Sequence, residues 1–212
     1  MLKRGCKLIV VACNTATTNA IVFLRKQFDV PFVGIEPAIK PAAENTTTGV
    51  VGILATRGTL KSEFFHSKLS SYKNLKIVNQ IGYGLVKLIE KGQLNDLQTK
   101  SLLFTYLDPM LEKGIDHLVL GCSHYPFLKG LIFEILDEIR YPKKINIIDS
   151  GQAVAKQIQH VLRINGLSNT SQMSFPNYQF LTNSDTLNVV NLLIDRRYVR
   201  KKSTFSVLKA DF

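Results

Sequence analysis

Two segments of the 212-residue chain end an apolar run in a thiol followed by polar side chains. Residues 7–12 lead into Cys13-Asn14-Thr15, and residues 116–121 lead into Cys122-Ser123-His124. Each run reads as a buried strand, and each cysteine stands where that strand gives way to a helix. Ligands of parallel α/β sheets bind at the carboxyl ends of the strands. Two thiols delivered there, one from each half, can face one another across a single small ligand. Opposed acid/base groups of that kind are what inversion of a carbon stereocentre requires: one takes the proton from one face, and the other supplies a proton to the opposite face.

The rest of the chain must position these thiols. Strand-like runs at 7–12, 31–35, 49–55, 75–80, 118–121, 145–148 and 178–182 alternate with helical patterns at 16–28, 39–45, 60–69, 85–90, 99–113, 127–140, 151–165 and 186–193. Within 16–28, Ile21, Leu24 and Phe28 form the expected buried stripe. The stretch 56–59 reads as a turn. Ser150 is placed to cap the helix after 150 and Gly166 to end it. This alternation predicts βαβ units and a mostly parallel sheet. Loops at 46–49 (Thr-Thr-Thr-Gly) and 141–144 (Tyr-Pro-Lys-Lys) bracket a block able to form its own lobe.

Composition narrows the classes. An apolar content of 45% suffices for a buried core. The net charge of +11 raises the question of nucleic acid, but the basic residues are dispersed except for Arg196-Arg197 and Arg200-Lys201-Lys202. The chain lacks Trp and any aromatic-basic repeat of the single-strand binders, so a solvated basic surface is the expectation. Three cysteines without CxxC spacing fit neither a disulfide framework nor a zinc site, and point to a reducing, cytoplasmic setting. No apolar run is long enough to span a membrane, and the start of the chain does not read as a signal peptide.

Around Cys13, the positive end of a helix dipole favours the thiolate, while Asn14 and Thr15 offer a carboxamide and a hydroxyl to a carboxylate or ammonium group. Taken alone, the segment reads equally as a small buried hydrophobe followed by capping residues. The second segment adds a hydroxyl at Ser123 and an imidazole at His124 beside Cys122, with Pro126 suited to the first turn of a helix. Together the two segments point to one shared site.

The paired segments resemble the two signature motifs of the glutamate racemases, within the aspartate/glutamate racemase superfamily. Val33-Gly34-Ile35-Glu36-Pro37-Ala38, Gly52-Ile53-Leu54-Ala55-Thr56, Leu88-Ile89-Glu90-Lys91-Gly92 and Ile148-Asp149-Ser150-Gly151 carry the resemblance further. It implies an α/β fold of two pseudo-symmetric lobes, with mostly parallel sheets flanked by helices and the active site between them. The first lobe is expected from 1–36 plus 146–212 and the second from 37–145. The resemblance implies Cys13 and Cys122 as catalytic thiols and Asn14, Thr15, Ser123 and His124 as substrate-binding residues. It also implies Glu90 as an assistant to the second thiol, and Thr56 and Thr59 as a ligand-facing turn.

It further implies glutamate as substrate, neither pyridoxal phosphate nor metal, no membrane partner, and D-glutamate supplied to bacterial peptidoglycan. A homodimer is compatible with it. Ser123 stands where a threonine is usual and keeps the hydroxyl. His124 favours glutamate, because aspartate racemases usually carry glutamate at that place.

The chain departs from the pattern at its front. Twelve residues precede Cys13, with no Asp, Ser or Tyr among them, so the family's opening Asp-Ser-Gly strand and Tyr-Gly turn, roughly sixty residues, have no counterpart. The expectation is a truncated first lobe with apolar surface exposed, and little or no activity. Asp149-Ser150-Gly151 matches a later family segment instead. The alternatives are an aspartate or hydantoin racemase, a decarboxylase or isomerase built on the same thiols, and a non-catalytic or nucleic-acid-binding fragment. A Cys-His hydrolase lacks an acyl-acceptor signal.

Overall fold

The computed structural model describes residues 1–169, 177–184, 187–188, 190–191 and 204–209. Part of the helix expected over 186–193, and the basic cluster at 196–202, lie outside them. Two similar α/β lobes carry the described chain, each with a parallel sheet flanked by helices. In the first, β1 (Ile9–Val11) and β2 (Phe32–Gly34) pair in parallel, with Val11 opposite Gly34, and α1 (Asn14–Gln27) makes the crossover.

After α2 (Ile39–Asn45) the second sheet begins. It contains β3 (Val50–Ala55), β4 (Lys76–Ile81), β5 (His117–Gly121) and β6 (Asn146–Ile148), in the order β4-β3-β5-β6 and parallel throughout. Between its strands run α3 (Arg57–Leu60), α4 (Glu63–Leu69), α5 (Leu85–Glu90), α6 (Leu97–Glu112), a 3-10 turn (Tyr125–Leu128) and α7 (Lys129–Glu138). Helix α8 (Gly151–Ile164) then returns to pack on β2. Farther on, β7 (Asn177–Thr182) and β8 (Thr204–Lys209) pair in parallel.

Apart from His117 at the start of β5, the central strands are apolar because both faces of the sheet are covered. Leu54, Leu118 and Leu120 face a core completed by α5, α6 and α7, while Val51, Ile53 and Val119 face one completed by α2, α3 and α4. Each such side chain contributes about 1.5–3 kcal/mol on burial.

Several local expectations give way to specific interactions. The helix expected over 60–69 is two helices, because two caps compete. Thr56 Oγ1 accepts from Thr59 N–H (3.3 Å) and starts α3, and Ser62 Oγ accepts from Phe65 N–H (3.2 Å) and starts α4. The buried side of α1 is Asn14, Thr17, Thr18 and Ile21, while Phe28 lies beyond the helix and is exposed. Thr17 replaces an apolar residue there because its hydroxyl donates to Val11 C=O (3.0 Å) and accepts from Ile35 N–H (3.1 Å), joining the ends of β1 and β2. On the outer face of the same helix, Val22 and Phe23 are exposed.

The boundary expected at 145/146 also moves. Asn146–Ile148 pairs with His117–Val119, so β6 extends the second sheet instead of joining the first lobe. Ile147 and Ile148 pack against the two cores of that sheet, which is the physical reason. Ser150 occupies the N-cap position of α8 but makes no side-chain cap. Its hydroxyl donates instead to the Glu36 carbonyl, joining the two segments by which the chain passes between lobes.

Loop 46–49 is anchored. One Asp116 carboxylate accepts from Thr46 Oγ1 (2.6 Å), Thr47 N–H (2.6 Å), Thr47 Oγ1 (2.9 Å) and Thr48 N–H (3.1 Å), and pairs with His117 Nδ1 (2.9 Å). Burial alone would raise the affinity of Asp116 for a proton. The Thr46 hydroxyl, the His117 ring and the N–H groups of Thr47 and Thr48 outweigh it and hold the carboxyl well below the usual carboxylate range. Because the folded-state value lies below the unfolded one, near 3.9, this stabilisation is complete above about pH 4 and fades as the pH falls further. Asp116→Asn is expected to lose about 2 kcal/mol at pH 7 and to flatten the acid limb of the stability profile, measured by urea unfolding from pH 7 to pH 3. An unchanged acid limb would show that the carboxylate contributes nothing.

Candidate active site

Parallel register decides which residues meet. Ala55 lies opposite Gly121 in the β3–β5 pair, so the next residues, Thr56 and Cys122, leave the sheet side by side. Val11 lies opposite Gly34, which puts Ala12 and Ile35 at one level in the other sheet, with Cys13 one residue farther on. Cys13 is the N-cap of α1 in extended conformation, and its Sγ accepts from Ala16 N–H at 3.5 Å. Cys13 is exposed, Cys122 is buried and Cys6 is intermediate; all three are free thiols.

The thiols stand within electrostatic reach of one another. Burial pushes the Cys122 thiol up. The N–H groups of His124 and Tyr125 pull against that shift, and negative charge on Cys13 adds to it. Cys122 is therefore held as a protonated thiol at neutral pH. The turn that carries it is rigid, because Tyr125 is fully buried and donates its hydroxyl to Gly82 C=O at 3.0 Å.

A cleft of about 580 Å³ is lined by Ala12, Asn14, Cys122, Ser123 and His124; Cys13 stands between the first two in the chain but is not itself part of the lining. Asn14 is 2% exposed, and its carboxamide nitrogen has no hydrogen-bond partner. His124 Nε2 lies 3.1 Å from Glu90 Oε1. With the carboxylate as acceptor, Nδ1 is left to accept from Ser123 Oγ at 3.5 Å. Ser123, His124 and Glu90 thus form a relay running from the cleft to the surface.

Thr15, Thr56 and Thr59 meet elsewhere. Their hydroxyls form a triangle with sides of 2.6, 3.1 and 3.1 Å, which joins α1 to α3 across the lobes. Thr59 is wholly buried. The approach is close because residue 58 is glycine: a Cβ there would lie 2.6 Å from Thr15 Cγ2.

The cleft is also lined by Lys129, Asp149 and Ser150; the motif reading named the last two as a family segment but assigned none of the three to the site. A signal for them exists. Ile147-Ile148-Asp149-Ser150 repeats the plan of an apolar run ending in polar residues that marks both cysteines. Among the described residues no three His, Cys, Asp or Glu side chains gather as a metal site. None of the described helices is long and apolar enough to cross a membrane.

Two outcomes are expected from this geometry. Iodoacetamide at pH 7.5 modifies Cys13 at least about tenfold faster than Cys122, followed by peptide mass spectrometry, since burial withholds the second thiol and keeps it protonated. Equal rates would mean that Cys122 is open to solvent. Gly58→Ala displaces Thr15 and costs about 1–3 kcal/mol, and adding Thr15→Ser, which removes the clashing methyl, restores much of the melting temperature. No rescue by the second change would place the strain elsewhere.

Residues 1–158 match the family described as Asp/Glu/Hydantoin racemase. The chain is 44% identical over 186 residues to a glutamate racemase of Herpetosiphon aurantiacus, covering 87% of this chain and 71% of that one. It is 48% identical over 161 residues to a glutamate racemase of Pseudomonas putida, covering 75% and 59%. Among solved structures it resembles the Escherichia coli glutamate racemase in complex with L-glutamate and the activator UDP-MurNAc-Ala. The TM-score there is 0.75 at 32% identity, over 97% of this chain and 75% of that one. The chain spans between 58% and 71% of the length of such curated relatives. By sequence and by fold, the chain belongs to the glutamate racemases of the Asp/Glu/Hydantoin racemase family.

Proposed function

We propose that this chain carries Cys13 and Cys122 as the two acid/base groups of a cofactor-independent interconversion of L- and D-glutamate that serves peptidoglycan synthesis, with low turnover expected from the chain by itself. The observation that carries the reading is that one cleft is lined by Cys122 and by Ala12 and Asn14, the two neighbours of Cys13 in the chain. In this reading the cleft lies between a first lobe of residues 1–36 with the chain from α8 onward, and a second lobe ending with β6. The setting is cytoplasmic, where thiols stay reduced.

An amino-acid α-proton is many units less acidic than a thiol, so the carbanion must be met by donors already in place and screened from water. Cys13, as thiolate, removes the α-proton from one face. Cys122, kept protonated by burial, delivers its proton to the other. The forward step leaves Cys13 protonated and Cys122 as thiolate, and the reverse reaction starts from that state with the roles exchanged.

Asn14, Ser123 and His124 take the α-carboxylate and α-ammonium end of the substrate. A buried donor without a partner costs about 1–3 kcal/mol, and the Asn14 carboxamide is such a donor where a carboxylate would accept from it. Glu90 orients His124 and draws charge from it. Thr15, Thr56 and Thr59 hold the first turns of α1 and α3 together, and so set the spacing of the lobes. Glutamate is favoured over aspartate by the imidazole of His124.

We take the basic surface to be solvated, not a footprint for nucleic acid. The exposed Val22 and Phe23 on α1 are compatible with a second copy packing there.

The test is racemisation of L-glutamate in D2O, followed by chiral chromatography and by deuterium incorporation at Cα, beside aspartate and hydantoins as alternative substrates. Replacing either thiol, as Cys13→Ser or Cys122→Ser, is expected to lower kcat at least about 100-fold, the scale of one general acid/base contribution. Preference for aspartate, or turnover indifferent to both substitutions, would overturn the assignment.

A further inference from the structure

We propose that Asn188, from the part of the chain beyond α8, is a positioning residue for the relay of Ser123, His124 and Glu90: its carboxamide holds the main chain of Glu90, and through it the carboxylate that meets His124. The consequence for turnover rests on the racemase reading above; the contact itself does not. Glu90 is the last residue of α5, where the carbonyls of the final turn have no partner within the helix. The main chain that follows satisfies three of them. Lys91 N–H donates to Lys87 C=O (3.2 Å), Gln93 N–H to Leu88 C=O (3.0 Å) and Gly92 N–H to Ile89 C=O (2.9 Å). Glu90 C=O accepts instead from Asn188 Nδ2 at 3.2 Å, across 98 positions of sequence.

The bond is supported from both sides. Gly92 adopts φ +76°, the left-handed region that favours glycine, and its turn sets the end of α5 against Asn188. A Cβ at residue 92 would lie 3.9 Å from both Cγ and Nδ2 of Asn188, at van der Waals distance. On the other side, Asn188 stands in a helical turn in which Asn191 N–H donates to Leu187 C=O (2.7 Å) and Val190 is buried. Asn188 itself is half-buried. Glu90 needs such a hold, because its side chain is 56% exposed. A long exposed side chain loses rotamer freedom when it is fixed on a partner, and exposed pairs return little for that loss. Anchoring the Glu90 main chain leaves only the side chain to be ordered, and so favours the 3.1 Å contact with His124 Nε2. His124 then keeps its Nε2 hydrogen on the carboxylate and its Nδ1 turned to Ser123.

A plain tether at the end of α5 would use the same bond, so the test reads His124 itself. The NMR resonances of its two ring nitrogens, assigned with His124→Gln, are compared in the wild-type chain, Asn188→Ala, Asn188→Gln, Glu90→Ala and the double variant of Asn188→Ala with Glu90→Ala. Melting temperatures are measured beside them, with kcat and KM where turnover is measurable. Asn188→Ala is expected to move the His124 resonances in the direction that Glu90→Ala moves them, with the melting temperature within about 2 °C of wild type. Asn188→Gln, which keeps the amide donor, recovers most of the change, and Asn188→Ala adds nothing once Glu90 is alanine. Where turnover is measurable, kcat falls about three- to tenfold in Asn188→Ala with KM changed less than about twofold. Should alanine unfold the chain, Asn188→Leu, close in shape and without the donor, gives the same reading. Unmoved His124 resonances, or an equal displacement with and without Glu90, make Asn188 a tether and overturn the proposal. The expected pattern in a wild-type chain that does not racemise glutamate would sustain the role of Asn188 while removing the racemase reading. Racemisation with His124 indifferent to residue 188 would do the reverse.

Discussion

Parallel strand pairing in register is the constraint on which the rest of the structure depends. Each sheet brings its strands to an end at one level, and both motif cysteines stand within two residues of a strand end. Ala55 opposite Gly121 delivers Thr56 and Cys122 together, and Val11 opposite Gly34 delivers Cys13. A slip of one residue would turn every side chain of a strand to the opposite face, moving Leu54 and Leu120 out of their core and Cys122 away from the cleft. The apolar runs that bury both faces of β3 and β5 therefore do more than stabilise. They fix the position of a sulfur atom.

Two kinds of contact join the lobes on this framework. Hydroxyls do so at Thr15, Thr56 and Thr59, where the absence of a side chain at Gly58 lets α1 and α3 approach. At the crossings of the chain, Ser150 donates to the Glu36 carbonyl and Lys129 pairs with Asp149. Both sets are directional bonds, which fix angle and spacing. A two-thiol reaction needs such a join, because the sulfur atoms must approach one carbon from opposite sides and a small misplacement is costly. The two thiols are also made unequal. One is exposed and bonded to a helix N–H, while the other is buried and kept protonated.

Much of this was legible beforehand. The alternation of apolar runs with helical patterns announced a parallel α/β sheet, and helices α2 and α5 begin and end where the sequence placed them. The thiol segments stood out through their shared plan. Other features were illegible because they depend on long-range partners. Thr17 gives no sign in sequence that its hydroxyl would join β1 to β2, nor Asp116 that it would gather three consecutive threonines. Ser150 matched a helix cap by every local rule and was diverted by a carbonyl 114 positions away. The short strand after 145 was assigned to the wrong lobe because an isolated apolar triplet does not say which sheet it will extend.

The sequence by itself determined the fold class and placed a thiol just past each of two strands, because hydrophobic periodicity and residue identity are local properties. Only the tertiary structure decided that Cys122 is buried while Cys13 is open, that Asn14 is left without a partner, and that Lys129 and Asp149 share a wall with the thiol. Those facts depend on desolvation and on distances between residues far apart in the chain. Such distances exist only once the two sheets have packed and their crossings are joined.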